Sequence, residues 1–386
     1  MNIARAALIT IALPAGLLSI GTRPSLAETR GYAISMVHMA THAEEGNCPK
    51  GGNGATTEIH LKILMDQGKT REEALKTIVG HDRKVDFDSR GHLYGQVVDI
   101  GNFPTSVPDD HIETVVGAGR GHHAYGFNLA GKETPYSFED PETHEMVQNQ
   151  LWRVYGCFST YMYKNHSIPP YSEGITWDTA MDSMPAWLLS ISGNDLSKDG
   201  DVTVTFDRSL HILVRNRNGR VLEGASYTVD PDPRNHNVFK GHIKDQVLTI
   251  EPGNFFMQGE SQFISVFRFT QTHLRLKLAQ DGSVSGIIGG YEPWLDYYYF
   301  CAIRGEDDSE IDIPGAYYAM KRLADAEPDA TGQNTAISAA YYLEAIPVYV
   351  LTRSGSVIGT PYVNGAPLNT GAGQLKCLHH GDDGAC

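Results

Sequence analysis

Residues 187–291 place the strongest constraint on the fold. Their apolar side chains recur at every second position, and tight-turn dipeptides separate the runs. Val202, Val204 and Phe206 alternate with threonine and aspartate, and Leu274, Leu276 and Leu278 alternate with Arg275 and Lys277. Asp281-Gly282 then turns the chain into Val284–Ile288, and Asn218-Gly219 sits between two strand-like runs within 210–222. Asp-Gly and Asn-Gly take the positive φ that two-residue hairpin turns require. A period of two sends alternate side chains to opposite faces. The pattern therefore predicts an antiparallel β sandwich or barrel over about 187–291, with one wet face.

Helical signals flank this region. Residues 57–67 carry an apolar stripe of Ile59, Ile63 and Leu64, and Thr70 with Glu73 forms a capping box for a helix that stops at Gly80. Asp140-Pro141-Glu142 predicts a further helix that turns Met146, Val147, Leu151 and Val154 inward. Two more helices are expected over 315–326 and 334–345, with Pro347 ending the second and Val348–Leu351 following as a strand. Residues 31–40 read as a buried strand or a short helix. The expected class is α+β, an antiparallel β region flanked by N- and C-terminal helices. The corresponding division is 1–27 signal peptide, 28–186 helix- and loop-rich region, 187–305 β region, and 306–386 helices, short strands and a cysteine-closed tail. Residues 28–386 are expected to pack as one unit.

The first residues speak to compartment. Met1–Arg5 is positively charged, Ala6–Ile20 is apolar apart from Thr10, a proline and small residues, and Ser25-Leu26-Ala27 supplies small side chains at −3 and −1. This is the layout of a secretory signal peptide, so a periplasmic or secreted protein cut near Ala27 is expected. No later stretch approaches the ~18–20 apolar residues of a spanning helix, so no transmembrane segment is expected in the mature chain. The net charge of −15 with no basic patch argues against nucleic acid as a partner and leaves a small molecule or an envelope component. Five cysteines in an oxidising compartment predict disulfides, with Cys377–Cys386 the pair that closes a short polar loop. The absence of C-x-x-C-H argues against covalent haem.

Sixteen histidines supply the candidate chemistry. His38 and His42, followed by Glu44, Glu45 and Cys48, form an H-x-x-x-H spacing that shares a metal on a helix. On a strand the two histidines lie about 13 Å apart, at ~3.3 Å per residue, which is too far for one ion. The zincin signature is ruled out because Met39, not glutamate, follows His38. His122 and His123 follow the glycine-rich run 117–121, which lacks the dinucleotide fingerprint. They are candidate acid–base groups or metal ligands, or exposed side chains of a surface loop. The tail 377–386 offers Cys377, His379, His380 and Cys386 as a soft-metal clip if reduced. Residues 230–237 carry oxygen ligands that suit calcium, or ordinary turn chemistry. Tyr291, Trp294 and Tyr297 are candidate ligand-stacking aromatics, or core beneath the sheet. Gly-x-Ser-x-Gly is absent and no catalytic triad can be assigned, so the sequence does not decide whether the chain is an enzyme. The leading expectation is an exported, soluble ligand-binding or accessory protein of the cell envelope. A metal-dependent extracytoplasmic enzyme, redox or hydrolytic, built on the clustered histidines with a transition metal or calcium is the alternative. A structural envelope protein is the third reading.

Overall fold

A computed structural model describes residues 28–44, 64–79, 122–156, 161, 169, 174, 177–178, 181–259, 266–304 and 313–368. Eight strands form the body of the fold: β1 (Glu28–Met39), β2 (Pro185–Gly193), β3 (Gly200–Ile212), β4 (Asn237–Lys244), β5 (Val247–Ile250), β6 (Val266–Leu278), β7 (Val284–Pro293) and β8 (Asn334–Pro347). Each pairs antiparallel with the next, and β8 pairs back onto β1 from Tyr32↔Pro347 to Met39↔Tyr341. The sheet therefore closes into an eight-stranded antiparallel barrel in strict chain order. Closure satisfies the backbone groups that an open sheet would leave at its edges.

The register decides what fills it. Ile191, Val204 and Phe239 face one another across β2–β4, and Ile243, Leu248 and Leu276 do so across β4–β6. Leu274, Ile288, Tyr341 and Met39 complete the same face across β6–β7–β8–β1. All belong to one core cluster, which also takes in Phe206, Phe255, Phe267 and Phe269. The aromatic rings interlock there, with centroids 4.7 Å apart for Phe267–Phe269, 4.9 Å for Phe267–Tyr341 and 5.3 Å for Phe206–Phe255. An eight-stranded barrel has an interior about wide enough for side chains, and these rings occupy it. A carboxylate joins them: the buried Glu292 accepts a 2.8 Å hydrogen bond from the Tyr341 hydroxyl.

The β6–β7 hairpin matches its sequence signal. Gly282 has φ +98°, and the turn closes through Gly282 N–H donating to the Ala279 carbonyl. Asn218-Gly219 also turns, with Gly219 at φ +77°, and its short flanks are joined by the bridge Arg215↔Val221 and by Asn216 N–H donating to the Arg220 carbonyl and Leu222 N–H to the Val214 carbonyl. Residues 31–40 are strand, through Met39.

Among the described residues the helices are not all where they are expected. Helix α1 (Arg71–Val79) carries the predicted capping box, with Thr70 N–H donating to Glu73 Oε2 at 2.9 Å and Glu73 N–H donating to Thr70 Oγ1 at 3.2 Å. Residues 57–63 and Gly80 lie outside the described residues. The expected helix after Asp140 is a turn: Asp140 Oδ1 accepts from the N–H groups of Glu142 and Thr143, and Met146–Val147 pairs as strand with Phe138–Glu139. The helix itself, α2 (Gln150–Tyr155), starts at Asn149, whose side chain accepts from Trp152 N–H at 3.0 Å. Helices α3 (Trp294–Arg304) and α4 (Ile313–Leu323) follow the barrel's seventh strand. The expected helix over 334–345 is the long strand β8. Its residues from Ala336 to Leu343 are all buried, inward against the lumen and outward under other chain segments, so no alternation survives in the sequence.

Candidate functional site

Barrel strands β6–β8 carry a second layer on their outer wall. Ala40, Tyr125, Phe127, Leu129, Ile287, Tyr291, Ala336 and Ala340 form a separate apolar cluster there. The covering segment is pinned by Asp140, fully buried, whose Oδ2 lies 2.8 Å from Arg275 Nη2 and 3.4 Å from the Gly126 N–H. Burial alone would raise the Asp140 carboxyl; the Arg275 guanidinium and the Thr143 and Glu142 N–H groups outweigh it and hold the carboxyl below its usual range. Phe127 stacks on His273 at 5.3 Å, and burial pushes the His273 imidazole down, towards its neutral form.

This anchorage sets the position of His123. Glu139 N–H donates to the His122 carbonyl, and Ala124 N–H donates to the Glu139 carbonyl, so the 122–124 backbone runs beside Glu139. From the other side, β1 ends at Met39, and Ala40 N–H donates to the Ala340 carbonyl before the chain continues through Thr41 to Glu44. The two segments meet at one carboxylate. Glu44 Oε1 lies 3.2 Å from His42 Nε2 and 2.7 Å from His123 Nδ1, the latter an ion-pair approach and not an aligned hydrogen bond. The imidazole centroids are 6.2 Å apart, and the Tyr125 ring stands edge-on to His42 at 5.6 Å. The side chains of His42, His123 and Glu44 are 19, 36 and 30% exposed, so solvent reaches all three.

Tyrosines extend the polar wall. Desolvation first, then the charges of Glu142 and Asp140, pushes the Tyr125 hydroxyl up to about 12. Tyr342 donates to Glu344 Oε1 at 2.9 Å, and burial together with that carboxylate raises its hydroxyl well above the ordinary range. Both phenols stay protonated and act as donors at neutral pH. The two imidazoles and the Glu44 carboxylate together offer hydrogen-bond donors and acceptors to a polar group.

The expected site residues are thus divided. His42 and His123 come together. His38 does not join them: it faces outward from β1, 2% exposed, against the Tyr342 ring at 5.3 Å, with Nδ1 2.9 Å from the Met39 carbonyl. The strand geometry keeps it from sharing an ion with His42. His122 is exposed and contributes its backbone carbonyl. Among the described residues, no group of three or more His, Cys, Asp or Glu side chains is arranged to hold a metal ion.

Tyr291, Trp294 and Tyr297 are similarly dispersed. Tyr291 packs in the outer apolar cluster, Trp294 meets Tyr317 of α4 at 5.2 Å, and Tyr297 meets Tyr155 of α2 at 5.4 Å. The oxygens of 230–237 serve a turn: Asp230 pairs with Arg208, and Asp232 caps Pro233–Asn235 while pairing with Arg234. Cys377 and Cys386 lie outside the described residues, as do 1–27 and 117–121. No described helix is long and apolar enough to cross a membrane.

Sequence reasoning placed Glu44 beside His42 but did not link either to His123. It also missed the His236–Asp207 pair, in which Nδ1 stands 2.7 Å from a carboxylate raised by burial. No local signal marks these partnerships, which arise only when distant strands align. Fold and cluster define an antiparallel eight-stranded barrel with a filled lumen and a histidine–carboxylate cluster on its outer wall. No family model, curated protein or solved structure matches the chain.

Proposed function

We propose that this chain is an exported ligand-binding or accessory protein of the cell envelope that binds its ligand on the outer wall of the barrel. The observation that carries this reading is the convergence of His42 and His123 on the solvent-accessible Glu44 carboxylate. The aromatic lumen favours the wall over the interior as the binding surface, since side chains already occupy the space a lumen ligand would need. Two imidazoles, a carboxylate and the Tyr125 ring suit a small polar molecule that both donates and accepts hydrogen bonds. Export rests on the tripartite pattern of residues 1–27.

The test uses untagged protein recovered from the exported fraction of an expressing cell, weighed by native mass spectrometry beside elemental analysis. The expected result is a mature chain beginning near Glu28 and carrying a small-molecule adduct that the His42→Ala/His123→Ala double variant lacks. A bare polypeptide, or an adduct that persists in the double variant, overturns the reading. The competing reading is a metal-dependent enzyme, for which two imidazoles and a carboxylate are the right ligand types although the described residues are not arranged around an ion. One equivalent of zinc, copper or iron, lost in the double variant, would replace the binding reading with that one. Retention of the uncut chain inside the cell would overturn export.

A further inference from the structure

At the start of β1 lies a recess, the length of the strand (eleven residues at about 3.3 Å each, roughly 36 Å) away from Met39, where the chain leaves for His42. It has a volume of about 420 Å³ and opens to solvent between the first residues of β1, the strand Val357–Gly359 and the hairpin of Tyr362–Val363 with Ala366–Pro367. Glu28, Thr29, Thr360 and Tyr362 supply its polar groups and its ring, while Val357, Ile358 and Pro367 supply an aliphatic wall.

The recess is built, not incidental. Thr360 N–H donates to the Thr29 carbonyl and Gly31 N–H donates to the Thr360 carbonyl, so its two sides are locked by backbone hydrogen bonds. A side chain at Gly31 would collide with the Val348 carbonyl at 2.7 Å, which shows how closely the layers approach. The Tyr362 ring is fixed at its hydroxyl, which donates to the Gly365 carbonyl at 2.6 Å, and on one face, where the Arg30 guanidinium lies 3.8 Å from its centroid and leaves the other face for a ligand. Arg30 is itself 8% exposed, with Nη2 buried and without a hydrogen-bond partner.

Charge narrows the ligand. Glu28 lines the recess, but Oε1 pairs with Arg30 Nε at 2.8 Å and Oε2 accepts from Leu196 N–H at 3.2 Å. Its charge is balanced by a buried guanidinium, so neither a cation nor an anion gains a net counter-charge there. The carboxylate retains lone pairs for hydroxyl donors; Thr360 Oγ1 donates to the Thr29 carbonyl and Thr29 Oγ1 bonds Ser192 Oγ, so the two hydroxyl oxygens are held in place with lone pairs still able to accept. A rigid aromatic ring, aliphatic walls and few oriented oxygens match a molecule with apolar C–H faces and a rim of hydroxyls. The geometry points to a neutral saccharide site at the start of β1, distinct from the His42–Glu44–His123 cluster.

The full-length protein is titrated with glucose, cellotriose and chitotriose, with glucuronate and glucosamine as charged counterparts, by saturation-transfer NMR and calorimetry. At least one neutral sugar should bind with a Kd of about 1 mM or tighter. Val357→Arg, at a half-exposed position that fills the recess, should weaken that sugar at least about tenfold, and Glu28→Gln should do likewise. Tyr362→Phe, which keeps the ring, should leave binding within about threefold. The His42→Ala/His123→Ala variant should bind the sugar unchanged. Circular dichroism melting of each variant separates loss of binding from loss of fold. No neutral sugar bound by the wild-type protein, stronger binding of either charged sugar, or binding indifferent to Val357→Arg in a folded variant would overturn the proposal.

Discussion

The lumen and the outer wall of this barrel are held by opposite kinds of chemistry. Inside, Phe206, Phe255, Phe267, Phe269 and Tyr341 interlock with a carboxylate among them. Outside, under the 122–149 cover, stability passes through single polar hubs such as Asp140, which holds Arg275 and three backbone N–H groups at once. Dispersion is spread over many contacts and tolerates no empty space, whereas a hub concentrates its contribution in one group. The lumen holds the barrel together, and the wall carries the polar clusters.

The largest test of this contrast is in the lumen. Phe269→Ala removes a ring that meets Phe267, Phe255 and Tyr341, and should cost about 3–5 kcal/mol in urea unfolding, because a closed barrel cannot collapse onto the cavity. On the wall, Arg275→Met leaves Asp140 buried and unpaired and should cost about 3 kcal/mol. A cost below about 1 kcal/mol would show that Asp140 is not a hub and would blur the contrast.

The third test uses pH. Asp325, near the end of α4, accepts from the N–H and hydroxyl of Ser338, which in turn accepts from Gln150 N–H at the start of α2. Burial pushes its carboxyl up to about 6, because the Ser338 hydrogen bonds only partly compensate. A carboxyl raised on folding binds its proton more tightly in the folded state, so this group's contribution falls as pH rises from about 4 to about 6 and stays low above that. At ~1.36 kcal/mol per pH unit the loss approaches 3 kcal/mol. Asp325→Asn should remove this pH dependence, and equal slopes for both proteins between pH 4 and pH 8 would refute it. The smallest effect is expected at the site itself. His42→Ala should change stability by less than about 1 kcal/mol, since its ion pair with Glu44 is solvent-accessible, while abolishing ligand binding.

The same contrast explains what the sequence revealed. Strand β6 has a polar outer face at Arg275 and Lys277, so its alternation shows, and Asp281-Gly282 marks the turn that follows. Strand β8 is covered on both faces, and its alanine-rich run took on the look of a helix. Asp140-Pro141-Glu142 has the composition of a helix start, yet Asp140 is drawn off by Arg275 and Gly126, and the cap passes to Asn149. At the candidate site, the individual histidines were visible, but their convergence was not. Glu44 and His123 are about eighty positions apart, and only the pinning of the 122–127 segment by a barrel arginine brings them together.

The seam between β1 and β8 also governs when this protein can become itself. Tyr32 must find Pro347, more than three hundred residues along the chain, before the sheet has no free edge. Contacts this remote are costly in loop entropy and slow to form. A chain emerging from N- to C-terminus holds β1 with one long edge open until its last barrel strand arrives, and completes the barrel only then. Such a protein stays unclosed until Asn334–Pro347 has been made, so for most of its synthesis β1 holds an unpaired edge.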